Sequence, residues 1–178
     1  MKNKVDELTD AIVENLKYCD STVDYPDLKN VKPDDGVIAE WLYPIYNGAN
    51  DFSELTAIHL YTSQEAEFEE IGELMLGIGL TEMKHYGKLG EVIKSLGGKI
   101  GQRYNNSDVV IGKNIAEALK SAIDSEVKTI QFYESLSDKI KKVKQTNTTN
   151  TILQLINKLI ADEVVHEKLL RNTLSKYE

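Results

Sequence analysis

The sequence predicts an all-α protein: a four-helix bundle with a long crossover between its second and third helices, plus an N-terminal helical segment. Three observations lead there. Four long stretches between Phe52 and Leu174 carry apolar residues at helical spacing. Glycine and proline number only 11 and 3 among 178 residues, while Glu, Lys, Leu and Ile are abundant, which favours helix over sheet. Residues 53–63 also align without gaps on residues 125–135, so the chain reads as two related halves. At 41% hydrophobic content it can bury one sizeable core.

Val5, Leu8, Ile12, Val13 and Leu16 predict a short amphipathic helix over about 4–18. Residues 21–36 follow as a loop marked by Pro26, Pro33 and Asp34-Asp35-Gly36. Residues 37–46 are apolar and aromatic but interrupted by Pro44; they read as a short helix or turn on the body, or as part of an oligomer contact. We therefore divide the chain into an N-terminal helix and loop (1–51) and the bundle (52–178).

Ser53 is placed to cap a first bundle helix running to about Glu67. A second runs from about Glu70 to Leu96, where Gly97-Gly98 stops it. Gly77 and Gly79 inside it cost some stability and suit a close helix contact. Residues 99–113 look irregular. A third helix spans about Asn114 to Lys142, the polar run 145–150 reads as a loop, and a fourth spans about Thr151 to Leu174.

The formal net charge is −8 with no basic stripe, which argues against nucleic acid as a partner. No apolar run approaches the roughly 18 residues of a membrane span. The first 17 residues are charged throughout and lack the apolar stretch of a secretory signal, so a cytoplasmic location is expected. A single cysteine, Cys19, leaves no disulfide framework and no Cys-x-x-Cys knuckle.

Two of the three histidines end the same motif, Glu82-Met83-Lys84-His85 and Glu163-Val164-Val165-His166. Positions i and i+3 share a helical face, so each Glu and His can reach one point. The repeat supplies the rest: Glu54 with Ile58 and Tyr61 matches Glu126 with Ile130 and Tyr133, each Glu on the stripe that should point inward. Each half is thus Glu-x6-Tyr followed by Glu-x-x-His.

If Glu54 faces Glu82 on an antiparallel hairpin, the tip falls near Phe68; for Glu126 and Glu163 it falls near Lys144 or Gln145. The second pair is nine residues further apart, about what the polar run can absorb. Between halves, parallel helices require a connection of roughly 39 Å, which about 17 extended residues can span. Four carboxylates in a bundle core would resist ionisation if left alone. Two divalent cations would balance them, with imidazole completing each shell.

This six-residue order is similar to that of the ferritin-like dinuclear carboxylate superfamily. The first two motifs resemble bacterioferritins, and the full Glu, Glu-x-x-His, Glu, Glu-x-x-His order resembles rubrerythrins and manganese catalases. The resemblance covers about 52–174. It implies a metal site of Glu54, Glu82, His85, Glu126, Glu163 and His166, with Glu82 and Glu163 bridging two ions at the reaction centre and Glu54 and Glu126 terminal. It differs from rubrerythrins in lacking a rubredoxin-like cysteine module and in carrying Thr129 where they have a further glutamate. A shorter first hairpin, about fifty N-terminal residues and no fifth helix depart from cage-forming bacterioferritins. Met83 matches their haem-ligating methionine, but a helical methionine is more often packing, and haem is not expected.

Tyr61 and Tyr133 suit two roles equally, hydrogen-bonding or redox-active neighbours of the ligands, or core tyrosines. Asp162 stands four before His166, placed to accept from that imidazole's other N–H, or else solvated. His59 lies off the ligand stripe and reads as structural, Cys19 as an ordinary thiol and Trp41 as a packing anchor.

The resemblance implies an oxidoreductase holding two iron or manganese ions, with zinc possible in purified protein, that reacts with peroxide or dioxygen in catalase-, peroxidase- or ferroxidase-like chemistry. The alternatives are iron binding and storage of bacterioferritin type, with ferrous iron as the partner, or a non-catalytic metal-stabilised bundle. A homo-oligomer is expected.

Overall fold

The four expected bundle helices form, preceded by a fifth. The computed structural model describes residues 19–33, 37–48, 50–100 and 109–178. The helix expected over 4–18 lies outside the described residues. Helix α1 spans Val37–Asn47, α2 Glu54–Glu67, α3 Glu69–Ser95, α4 Ile115–Lys141 and α5 Asn147–Leu174, with a 3-10 turn at Leu28–Asn30 and no strand among the described residues.

The ends follow local chemistry. Ser53 accepts a hydrogen bond from the Thr56 N–H and starts α2. Phe68 alone separates α2 from α3, so the first hairpin turns where the ligand spacing places its tip. Gly97 closes α3 with φ +86°, a left-handed conformation suited to glycine. Asn114 caps α4 by accepting from the Glu117 N–H.

Of the readings left open for residues 37–46, the short helix is the one that forms, with Pro44 inside α1. One boundary differs from expectation. The polar run 145–150 is mostly not a loop, because α5 begins at Asn147 rather than Thr151. The Thr146 side chain accepts from the Thr149 N–H, and the Thr149 hydroxyl accepts from the Thr146 N–H. That reciprocal cap satisfies two backbone donors and draws Asn147–Asn150 into the first turn. The longer Glu126–Glu163 spacing is therefore shared between longer helices and a longer connection.

Helices α2 and α3 form one hairpin and α4 and α5 the other. Two apolar clusters fill the interior. One joins Leu60, Ile71, Met75 and Ile78 of the first hairpin to Leu119, Ala122 and Leu170 of the second. The other joins Leu89, Val92 and Ile93 of α3 to Leu136, Ile140, Ile152 and Leu159 of the second hairpin. The amino-terminal half of α3 thus lies beside that of α4, and the carboxyl-terminal half beside that of α4. The two run parallel, as a long crossover requires.

Helix α2 starts at Glu54 and adds no buried residue to the second cluster. Ile38, Leu42, Ile45 and Tyr46 of α1 close that side instead. Between the clusters, α3 passes through Glu82 and His85, α4 through Glu126, and α5 through Glu163 and His166. That level is where the bundle turns polar.

Candidate metal centre

Glu54 is the first residue of α2. Its carboxylate enters the bundle at a corner fixed by the Ser53 cap and by the Ser53 hydroxyl donating to the Gly48 carbonyl. Glu82, His85, Glu126, Glu163 and His166 project from the middles of their helices at the same level, and all six are buried.

The site has two halves that share two members. His85 Nδ1 lies 3.6 Å from Glu54 Oε2, 3.4 Å from Glu82 Oε2 and 3.2 Å from Glu163 Oε1. His166 Nδ1 lies 3.7 Å from Glu126 Oε2, 3.0 Å from Glu82 Oε1 and 3.0 Å from Glu163 Oε2. Glu82 and Glu163 therefore each present one oxygen to either imidazole, while Glu54 and Glu126 each face only one. The ring centroids of His85 and His166 stand 6.1 Å apart.

These atoms suit metal ions. Each four-residue group, Glu54–Glu82–His85–Glu163 and Glu82–Glu126–Glu163–His166, brings its ligand atoms within 4.8 Å of one another. Ligands at about 2.1 Å around one ion stand roughly 3–4.3 Å apart, so modest contraction would close either shell. Glu54 Oε2, Glu82 Oε1, His85 Nδ1 and Glu163 Oε1 are buried without a hydrogen-bond partner among the described residues. Buried polar atoms are normally satisfied, and four convergent exceptions match what a cation would satisfy.

The other carboxylate oxygens are occupied. Tyr133 Oη donates to Glu54 Oε1, and Tyr61 Oη donates to Glu126 Oε1, each crossing from the opposite hairpin. Both tyrosines are fully buried, and burial, followed by the neighbouring carboxylates, holds their phenols well above the ordinary range. They remain protonated donors. Gly79 helps seat Tyr61, since a Cβ there would meet Tyr61 Cβ at 3.3 Å.

Without a cation, protons carry the charge balance. Burial and then the Glu82 charge push Glu54 up to about 8. Burial, Glu82 and Glu126 hold Glu163 well above its ordinary value. Burial would raise Glu82 too, but the close imidazoles of His166 and His85 outweigh it and keep this carboxylate ionised. Burial disfavours charge on both imidazoles, yet Glu54, Asp162 and Glu163 around His85, and Glu126, Glu163 and Glu82 around His166, hold both protonated.

Asp162 does not meet the imidazole expected. Its Oδ2 lies 3.0 Å from His85 Nε2, across the bundle, rather than against His166. Lys158 Nζ at 2.7 Å, the Ser21 N–H at 2.7 Å and the Tyr25 hydroxyl at 3.2 Å all donate to this carboxylate, the first from its own helix and the other two from the segment before α1. Burial opposes its ionisation, but hydrogen bonds from His85, Lys158 and Ser21 prevail and keep its pKa well below the usual range.

Lys158, Ser21 and Tyr25 went unnoticed in the sequence reading. Lys158 had a signal, a lysine four before Asp162 among inward-facing Leu155, Ile156 and Leu159. Ser21 and Tyr25 had none, because nothing local shows where residues 19–33 dock. His59 is exposed, Cys19 is buried, and Trp41 is half-buried beneath Lys139 Nζ, 4.0 Å from its ring centroid. Burial, with nearby Asp20, Glu82 and Glu126, pushes the Cys19 thiol up to about 11 against the lowering effect of His166. Met83 is 44% exposed and projects away from the site.

The family model for the ferritin-like domain matches residues 53–178. Among solved structures, the chain is similar to Rhodobacter capsulatus bacterioferritin, described with a metal-free dinuclear site and a haem iron in a crystallographic special position. The TM-score is 0.68 at 22% identity, covering 82% of this chain and 88% of that one. At that identity the likeness is one of fold. Comparison with curated proteins gives no match.

Proposed function

Because the chain belongs to the ferritin-like domain family, we propose that its buried layer of four glutamates and two histidines holds two iron or manganese ions and acts as an oxidoreductase on dioxygen or peroxide. The observation that carries this is the set of four buried ligand atoms without hydrogen-bond partners, on Glu54, Glu82, His85 and Glu163, converging between α2, α3 and α5.

The Glu54 position would take one ion with His85, the Glu126 position another with His166, and Glu82 and Glu163 would bridge them. Two adjacent redox-active ions supply the two electrons that reducing an O–O bond requires. The chain's own groups prepare the place. Tyr133 and Tyr61 fix the terminal carboxylates through Oε1, leaving each Oε2 turned inward. The apolar clusters above and below exclude bulk water and strengthen every charge interaction between them. The same neighbours make Tyr61 and Tyr133 candidate electron and proton donors.

The test is metal analysis of protein purified without added metal, paired with hydrogen peroxide turnover and with oxygen uptake on adding ferrous iron. Two iron or manganese ions per chain with either turnover supports the reading. Absence of metal, or metal binding that survives Glu82→Ala and Glu163→Ala, would overturn it. Iron storage would use the same ligands with ferrous oxidation as its entry step. A cage eluting far above a small oligomer and retaining many iron atoms per chain would favour storage.

A further inference from the structure

The two halves of the site share a ligand pattern but not its surroundings. On the His85 side, Nε2 faces Asp162 Oδ2 at 3.0 Å. That carboxylate is fixed in turn by Lys158 Nζ, by the Ser21 N–H and by the Tyr25 hydroxyl. Lys158 is only 2% exposed; it also donates to the Ser21 hydroxyl at 3.1 Å, and Asp20 Oδ1 lies 3.5 Å away. Asp20 is further held by Lys84 Nζ at 2.7 Å. A segment N-terminal to the bundle thus reaches a ligand of the centre through one buried carboxylate.

The His166 side has no counterpart among the described residues. Its Nε2 is buried and lacks a hydrogen-bond partner there. Aligning the two Glu-x-x-His motifs sets Thr81 in the place of Asp162 and Gly77 in the place of Lys158. Thr81 donates its hydroxyl to the Gly77 carbonyl of its own helix at 3.3 Å and offers no carboxylate to His166.

We propose that Asp162, held by Lys158 and by Ser21 and Tyr25 of the N-terminal segment, makes the two metal positions unequal, so that the position built on His85 fills before the one built on His166. This rests on the dinuclear reading above. With Nε2–H donated to Asp162, His85 turns Nδ1 toward the ligand oxygens, so that loss of the Nδ1 proton to an incoming metal leaves the ring in the tautomer and orientation that the metal takes. Among the described residues His166 has no such partner to fix it. Coordination through its Nδ1 leaves a buried N–H unpaired. Asp162 is therefore a positioning residue acting through His85.

Titrating metal-free full-length protein with manganese(II), and following free and bound ion by electron paramagnetic resonance, separates the outcomes. Outer-shell partners of metal-bound histidines typically change affinity about 10–100-fold, so two steps at least about tenfold apart are expected. One equivalent should give the signal of an isolated ion. Asp162→Asn should weaken the tighter step by about tenfold or more and leave the weaker one in place. Tyr25→Phe, which removes one donor without disturbing the core, should shift the same step in the same direction by less. Two equal steps, a spin-coupled pair from the first addition, or equal weakening of both steps in Asp162→Asn would overturn the proposal while leaving the dinuclear reading intact. Failure to bind any manganese, iron or cobalt would instead remove that reading, and this proposal with it.

Discussion

Glu82 and Glu163 differ from Glu54 and Glu126 in how their oxygens are shared. Each of the first pair presents one oxygen to His85 and the other to His166, whereas each of the second has one oxygen taken by a tyrosine. Removing a shared carboxylate should therefore disturb both positions. Glu82→Ala and Glu163→Ala are expected to lose both ions. Glu54→Ala should keep one ion, measured as metal per chain after reconstitution and desalting; two retained ions in Glu163→Ala would contradict bridging. The protons of the metal-free site give a second prediction at this scale. Glu54 is raised to about 8, so its contribution favours folding below its ordinary value of 4.5 and drains away as pH climbs toward 8. His85 and His166, held above 6.5, lose their contributions in the same direction. Chelator-treated protein should thus show a urea midpoint that falls as pH rises through that window. Metal binding displaces these protons, so apparent affinity should rise over the same window, with proton release visible by calorimetry in buffers of different ionisation heat. A midpoint that climbs with pH would show that the carboxylates do not hold protons.

Among the elements, α1 has the least obvious role. It closes the apolar cluster at the level where α2 has not yet begun, so four helical elements surround the core there although only three bundle helices reach it. Leu42 is 1% exposed in that cluster. Leu42→Ala should cost about 2–5 kcal/mol by chemical denaturation, with metal content unchanged. Loss of metal along with stability would instead mean that α1 holds the Glu54 corner in place. The bundle helices themselves were legible because each carries its own signals, the Ser53 and Asn114 caps, Gly97 beyond α3 and the inward stripe. The start of α5 was not, because Thr149 completes the cap of Thr146 where glutamate or glutamine is the usual sign. The six-residue cluster was legible from two repeated motifs, since i, i+3 spacing and helix antiparallelism fix which faces meet. The Asp162 contact was not. Spacing of four places it beside His166 on one helix, but its direction is decided by Lys158, Ser21 and Tyr25, and two of those come from a segment with no periodicity to place it.

For the molecule as a whole, the polar layer is sandwiched between two apolar clusters, each tying one hairpin to the other. This arrangement decides what metal removal should do. Were the layer the only link between hairpins, chelation would separate them. With Leu60, Met75 and Leu119 on one side and Leu89, Ile140 and Leu159 on the other, burial of apolar surface holds the bundle closed without metal. Protonation of Glu54 and Glu163 meanwhile relieves their repulsion with Glu82. Metal-free protein should therefore keep its helical circular dichroism and melt cooperatively, at a lower temperature. An ion that binds only the folded state adds about 2.7 kcal/mol per site at a hundredfold excess over its dissociation constant. In a chain of this size each kcal/mol moves the midpoint by roughly 2–4 °C. The midpoint should rise with the logarithm of free metal and lose that dependence in Glu163→Ala. A collapse of helicity on chelation would show that the metal, rather than the two clusters, holds the hairpins together.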